Sequence, residues 1–133
     1  MSSVFVHSLQ VRFRDCDAMG HVNNAVYLTY LEEARFAYWR ALWGAEMGSP
    51  EAPGVILARA EIDYRRAARY GETLDIRISL DDIGRTSIRS AYEIVNATGD
   101  LIATAKSVLV VYDYAAGQPV PVSDAIRARL LSA

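Results

Sequence analysis

One helical stretch interrupts a chain that otherwise alternates between apolar and polar residues. From Asn24 onwards the apolar side chains recur at spacings of three and four, which is typical of an amphipathic helix. The predicted apolar stripe consists of Tyr27, Tyr30, Leu31, Ala34, Ala37, Tyr38 and Ala41. Asn23 or Asn24 is a suitable N-terminal cap, and Gly44 is a suitable stop. The chain therefore has one long helix with which to cover its strands.

Period-two alternation predicts strands on both sides of this helix. Before it, apolar residues alternate with polar ones from Val4 towards Asp17, and one face carries Phe5, Leu9, Val11 and Phe13. After it, four further segments alternate: Ile56 to Tyr64, Leu74 to Leu80, Thr86 to Val95, and Leu101 to Tyr114. The short joints "DDIGR" and "NATGD" favour antiparallel hairpins. The order of elements predicts an α+β domain in which one long helix packs on a five-stranded antiparallel sheet.

Composition excludes several classes of protein. The chain has 133 residues, of which 52% are hydrophobic and 23% charged, which are ordinary values for one globular domain. Its formal net charge of −2 gives no electrostatic reason to expect nucleic acid or an anionic membrane as a partner. The lone Cys16 excludes an intramolecular disulfide. We see no signal peptide and no apolar run long enough to span a membrane, so we expect a cytoplasmic protein.

The most unusual segment is "RDCDAMGHVNNAVYLTYLEEAR", which leads into the helix. If the first strand continued as far as Asp17, both Asp15 and Asp17 would lie on its apolar face. A buried carboxylate is costly unless it is paired, and such groups are often functional. A turn at Gly20 and an asparagine cap explain the rest of the segment. They do not explain the two aspartates.

Two other functional interpretations of this segment, a metal site and a nucleophilic cysteine, are weaker. A metal site would use Asp15, Cys16, Asp17 and His21, but Cys16 points away from both aspartates in a strand, and the only other histidine is His7. A nucleophilic Cys16–His21 pair is also disfavoured, because a lone cysteine in an apolar strand is more often a small buried hydrophobe.

Acyl transfer suits the segment better. The first turn of a helix has unpaired backbone N–H groups and the positive end of the helix dipole, which polarise a carbonyl oxygen placed there. A carboxylate a few residues upstream can attack the same carbon or activate a water molecule against it.

The run "VRFRDCDAMGHVNNAVYLTYLEEAR" resembles the signature of the hotdog-fold acyl-coenzyme A thioesterases, the hydroxybenzoyl-coenzyme A thioesterase-like group. The segments "YRRAARYGETLDI" and "IGRTSIRSAYEI" also resemble this family. The resemblance covers nearly the whole chain and implies a single hotdog thioesterase domain over residues 1–133. It implies hydrolysis of an acyl-coenzyme A thioester without a cofactor or metal.

Carried over by position, the resemblance makes Asp17 the nucleophile or general base and the backbone N–H of Asn24 the main donor to the thioester oxygen. Gly20 would permit the turn between them. Tyr27 lies on the inner stripe of the helix, where it either contacts substrate or packs in the core. His21 is interpreted as a turn residue hydrogen-bonded to a neighbour.

The family binds coenzyme A across a subunit interface, and arginine matches phosphate oxygens well. Arg65, Arg66 and Arg85 are therefore the predicted phosphate ligands. An antiparallel sheet with one helix also leaves edge strands uncovered. We expect a homodimer with joined sheets, or a dimer of dimers.

Two rival functions remain. A hotdog dehydratase would need a histidine and a carboxylate acting together, and its typical histidine-initiated, proline-rich lead-in to the helix is missing here. A non-catalytic acyl-coenzyme A-binding module is the alternative from a different class. It has no evident need for a desolvated Asp17 beside a thioester.

Overall fold

The computed structural model describes residues 4–132. Its elements, in chain order, are β1 (Phe5–Gln10), a 3₁₀ helix (Phe13–Asp15), α1 (Val26–Trp43), β2 (Val55–Tyr64), β3 (Thr73–Ile83), β4 (Ser87–Asn96), β5 (Leu101–Asp113), β6 (Gln118–Pro119) and α2 (Asp124–Leu131). Within residues 4–132 no helix is long and apolar enough to cross a membrane.

The five long strands form one antiparallel sheet in the order β1-β3-β4-β5-β2, and the two-residue β6 pairs with β5. Helix α1 packs on one face, mainly over β1 and β3. This is the predicted α+β architecture of one long helix against a five-stranded antiparallel sheet. Strand β2 lies at one edge, where most of its residues are exposed.

The core lies between α1 and the inner face of the sheet. The α1 residues Tyr30, Leu31 and Ala34 are almost completely buried, as the helical spacing predicts. The stripe turns further than expected at its C-terminal end, where Trp39 and Leu42 are buried and Ala41 is exposed. A straight helix with 3.6 residues per turn drifts in this way from a simple seven-residue repeat.

Strand β1 is shorter than its alternating sequence predicts. It ends at Gln10, and Val11 is buried before the chain enters the 3₁₀ helix. Alternation places Phe13 on the buried face, but this side chain is 78% exposed. The extended alternation therefore does not reach the aspartates, because the 3₁₀ helix rotates each following side chain away from its predicted direction.

The 3₁₀ helix instead buries Asp15 in a hydrogen-bonded network. Asp15 Oδ2 accepts a hydrogen bond from the Tyr30 hydroxyl at 2.7 Å and from the Arg12 backbone N–H at 3.0 Å. The Arg12 guanidinium is also close to the carboxylate, with an Nη2···Oδ1 distance of 3.4 Å. Asp15 is thus a structural carboxylate paired with a neighbouring N–H, and it joins the segment before α1 to the first turns of that helix.

This network makes the stability of the fold depend on pH. Burial alone would raise the pKa of Asp15, but the hydrogen bonds from Arg12 and Tyr30 outweigh it, and the net pKa is lowered from 3.8. A carboxyl with a lowered folded-state pKa stabilises the protein above about pH 4, and that contribution is lost as the pH falls through the folded-state pKa.

We expect Asp15→Asn to lower the free energy of unfolding at neutral pH by about 1–3 kcal/mol, because the Tyr30 hydroxyl and the Arg12 groups lose a charged acceptor. Chemical denaturation from neutral to acidic pH measures this effect. The wild type should lose stability below about pH 4 more steeply than the variant. Equal pH dependence in the two proteins would contradict the assignment.

Candidate active site

A tight turn presents Asp17 beside the helix N-terminus. The Asp17 N–H donates to the His21 carbonyl at 2.8 Å, and the Gly20 N–H donates to the Asp17 carbonyl at 3.0 Å. Gly20 has a φ of 82°, a left-handed conformation that glycine adopts without strain. The Asp17 side chain closes the turn further, because its Oδ1 accepts from the Met19 N–H at 2.9 Å.

The asparagines after this turn start the helix. Asn23 Oδ1 accepts from the Ala25 N–H, and the Asn23 carbonyl accepts from the Val26 N–H, both at 2.9 Å. The N-cap of α1 is Ala25, not Asn23 or Asn24 as predicted, and it makes no side-chain cap hydrogen bond. Asn23 instead accepts from backbone N–H groups where the chain enters the helix. The N–H of Asn24 makes no backbone hydrogen bond within residues 4–132, so it remains available to an external acceptor.

Strand β2 and the loop after it hold this first turn from the other side. The Tyr64 hydroxyl donates to the Asn24 carbonyl at 2.9 Å. The Tyr27 ring packs edge-on against Tyr64, with centroids 5.3 Å apart, and its hydroxyl accepts from the Ala68 N–H. Burial raises the pKa of Tyr27, so its hydroxyl is protonated at neutral pH. Tyr27 is 3% exposed and is mainly a core residue that touches the site.

These groups line one open cleft of about 360 Å³. Its lining residues are Asp17, His21, Val22, Asn24, Tyr27, Tyr64, Arg65, Arg66 and Ala67. The structure thus brings together most of the residues that the sequence selected. They come from the turn before α1, the first turns of α1 and the end of β2.

Asp17 differs from its sequence-based description in one respect. It is exposed in the single chain, whereas alternation placed it on the apolar face. The cause is the early end of β1, after which Asp15 takes the buried position. In the isolated chain Asp17 is not desolvated, so it gives no reason to disfavour a binding module.

The three arginines fall into two groups. Arg65 and Arg66 follow β2 at the cleft, and both backbone N–H groups donate to the Ile102 carbonyl. Arg66 also forms an exposed ion pair with Asp100 at 3.1 Å. Arg85 lies in the turn between β3 and β4, beside the other end of β5, roughly 30 Å away along that strand. Within one chain, Arg85 does not reach the cleft.

The rival chemistries find little support in this geometry. Cys16 Sγ faces the Arg12 carbonyl at 3.8 Å, and Cys16 does not line the cleft. The backbone carbonyl of His21 accepts from Asp17, in keeping with its interpretation as a turn residue. Among residues 4–132 no group of three or more His, Cys, Asp or Glu side chains is placed to hold a metal ion.

Sequence reasoning missed Tyr64. Alternation placed it on the same strand face as Ile56 and Ile62, which suggested only packing. Its hydroxyl in fact holds the Asn24 carbonyl and so fixes the peptide unit next to the free N–H. The only sequence signal was a tyrosine at the end of a strand just before two arginines.

Comparison with known proteins supports a thioesterase. Residues 11–130 match the model of the thioesterase-like superfamily. The 1,4-dihydroxy-2-naphthoyl-CoA hydrolase of Synechococcus elongatus is 35% identical over 102 residues, which cover 74% of each chain. The putative acyl-CoA thioesterase YneP of Bacillus subtilis is 29% identical over 114 residues, covering 84% of this chain and 82% of that protein.

A solved structure whose sequence is 35% identical to this chain has the same fold. The thioesterase from Thermus thermophilus, complexed with coenzyme A and Zn, superposes with a TM-score of 0.81 at 35% identity, over 94% of this chain and 95% of that one. The match of sequence model and architecture extends over the strand, turn and helix that build the cleft. The chain is a thioester hydrolase with the hotdog fold and belongs to the thioesterase-like superfamily.

Proposed function

We propose that this hydrolase cleaves acyl-coenzyme A to free acid and coenzyme A, with Asp17 as the reacting carboxylate and the Asn24 N–H as the oxyanion donor. The observation that supports it most directly is that both groups line one cleft at the N-terminus of α1. A thioester carbonyl placed there would have a donor on its oxygen and a carboxylate near its carbon.

The local hydrogen bonds favour Asn24 as the donor. Its N–H shares a peptide unit with the Asn23 carbonyl, which accepts from the Val26 N–H. A carbonyl that accepts a hydrogen bond makes the N–H of its own peptide unit a stronger donor. The helix dipole acts in the same direction, so negative charge that develops on the thioester oxygen is stabilised.

Asp17 has two possible roles that give the same products. As a nucleophile, its carboxylate oxygen bonds to the thioester carbon and the coenzyme A thiolate leaves; water then hydrolyses the resulting anhydride. As a general base, Asp17 takes a proton from the water that attacks the carbon, and the thiolate is protonated as it leaves. Within residues 4–132 only its Oδ1 is hydrogen-bonded, to Met19, which leaves Oδ2 free to react.

Arg65 and Arg66 are the proposed ligands of the coenzyme A phosphates. Both side chains are exposed at the rim of the cleft, and an arginine fork matches phosphate oxygens. Binding of phosphate by Arg66 would compete with its exposed ion pair to Asp100, which is worth little in water. Arg85 enters this proposal only if a second copy of the chain brings it to the cleft.

We also propose that residues 1–133 act as one domain that assembles as a homodimer through β2, or as a dimer of such dimers. The edge strand β2 exposes Ile56 and Leu57, and the adjacent face of α1 exposes Leu28 and Phe36, each by more than two-fifths. An uncovered strand next to an apolar helix face favours pairing with a second copy. Such pairing would also shield the neighbouring cleft from water.

Asp17→Asn should lower kcat by at least roughly 100-fold, because the amide keeps the shape of the side chain but removes its charge and basicity. The measurement is release of free thiol from a panel of short, medium, long and aromatic acyl-coenzyme A esters. Asp15→Asn is the matched control, and at equal folded concentration it should lower kcat less. Added chelator should leave turnover unchanged. Equal turnover by folded Asp17→Asn and wild type would remove Asp17 from the chemistry.

Arg65→Ala and Arg66→Ala should raise KM and leave kcat nearly unchanged, because the coenzyme A phosphates keep their charge during the reaction. Steady-state kinetics on one good substrate tests this. Arg77→Ala, at an exposed ion pair on the sheet, is the control for loss of a positive charge. An increase in KM for Arg85→Ala would show that a second copy completes the site. Unchanged KM in both Arg65→Ala and Arg66→Ala would exclude them as ligands.

Light scattering should show a dimer or tetramer at micromolar concentration. Leu57→Lys places a charge on the exposed β2 edge and should shift the protein towards monomer. Val6→Lys on β1, at the opposite edge of the sheet, is the matched control and should not. A monomeric wild type would contradict the assembly proposal.

A further inference from the structure

A second cleft lies between α1 and β2, about 320 Å³ in volume and distinct from the one that holds Asp17. Its lining is mostly apolar and includes Phe36, Val55, Leu57 and Leu109. Arg35 is the one cationic side chain in this lining. Glu32 is the one anionic side chain in this lining, and it is exposed. A mostly apolar cleft with one buried charged group is typical of a site for a mainly apolar ligand that has one charged end.

Arg35 is buried without a counter-ion. It is 7% exposed, and among residues 4–132 no carboxylate lies within 4.0 Å of its guanidinium. Its hydrogen bond to a neighbour is a long one, from Nη1 to the Tyr92 hydroxyl at 3.4 Å. A buried charge that is neither paired nor fully hydrogen-bonded is costly, so it calls for an explanation.

The neighbours of Arg35 do not neutralise it. Tyr92 shares its hydroxyl with Ser107 Oγ at 2.6 Å, and both are neutral groups. Glu32 lies at the exposed rim of the same cleft, outside ion-pair distance. Among residues 4–132 the only fully buried side-chain nitrogen or oxygen without a partner is Ser49 Oγ, so the other guanidinium nitrogens of Arg35 are not fully buried. Arg35 lines this cleft. The cationic group thus faces the cleft.

The two clefts lie along the same boundary between α1 and β2. Asn24, just before the helix, lines the first cleft. On the helix, Glu32 and Phe36 line the second, and Leu28 is exposed between the two clefts. Residues at spacings of four share one helix face. At ~1.5 Å per residue, Arg35 lies roughly 16 Å along the helix from Asn24, and helical side chains lean back towards the N-terminus. An acyl group that is held by its thioester at Asn24 would therefore extend towards Arg35.

We propose that Arg35 binds a carboxylate at the far end of the acyl group, which makes acyl-coenzyme A esters with a terminal carboxylate the preferred substrate class. This inference rests on the proposed function, since it assumes that the thioester lies at Asp17 and Asn24. Arg35 is a specificity residue here, because it does not touch the reacting atoms. The apolar lining holds the chain, and the ligand's carboxylate supplies the counter-charge that Arg35 lacks within the fold.

The test compares pairs of coenzyme A esters of equal chain length, one ending in a carboxylate and the other in a methyl group, over short, medium and long chains. The wild type should favour the carboxylate by about tenfold or more in kcat/KM at the best length, as expected for a charge-assisted hydrogen bond. Arg35→Met should abolish or reverse that ratio. Arg35→Lys should keep part of it, because lysine retains the charge but not the fork.

Arg40→Met is the matched control. Arg40 lies on the same helix but forms an exposed ion pair with Glu46, so its loss should leave the ratio unchanged. If Arg35→Met fails to fold, a reduced ratio in Arg35→Lys supports the proposal, and an unchanged ratio overturns it. A wild type that favours the methyl ester at every length overturns it as well. An unchanged ratio in folded Arg35→Met also overturns the proposal. If the assembly of that variant is altered at the same time, the counter-ion of Arg35 belongs to a partner subunit.

Calorimetry separates this proposal from the proposed function. Free carboxylic acids of the best chain length should bind the wild type at least about tenfold more tightly than the primary alcohols of equal length, which carry no charge, and Arg35→Met should remove the difference. This result supports the Arg35 site even if neither ester is hydrolysed. Equal binding of acid and alcohol overturns the Arg35 site even if both esters are good substrates.

Discussion

The candidate site depends on one buried hydrogen-bonded group. Asp15 accepts from the Tyr30 hydroxyl on α1 and from the Arg12 backbone, and its own carbonyl accepts from the Asn23 N–H. These bonds join the segment before the helix to the helix itself. The turn that carries Asp17 lies between Cys16 and Val22, which pair with each other in an antiparallel bridge. Its position relative to the helix N-terminus is therefore fixed. A carboxylate that has no part in the proposed chemistry thus positions the one that does.

The two aspartates have opposite environments for this reason. Asp15 has its pKa lowered by donors that compensate for burial, which suits a permanent structural anion. Asp17 is exposed in the single chain and has one side-chain oxygen free. In the proposed mechanism it loses water only when substrate and a second copy cover the cleft, and electrostatic interactions strengthen as water leaves.

The incomplete cover of β2 connects the remaining features. Helix α1 packs mainly on β1 and β3, and most residues of β2 remain exposed beyond the contact of Tyr64 with Tyr27. The boundary between α1 and β2 contains both clefts, the exposed apolar face of α1 and the unpaired edge of the sheet. The proposed acyl path, the charge at Arg35 and the proposed dimer contact all follow from this one gap in the packing.

Periodicity along the chain was enough to predict the fold class, because a single helical stripe among alternating segments permits little besides one helix on an antiparallel sheet. The family resemblance selected Asp17, Gly20 and Asn24, which lie close together in one short segment before the helix. Which aspartate is buried was not predictable from periodicity, because alternation cannot indicate the 3₁₀ helix that follows Gln10. The roles of Tyr64 and Arg35 and the remoteness of Arg85 depend on strand order and on contacts between residues far apart in the chain. Local periodicity contains no information about such contacts.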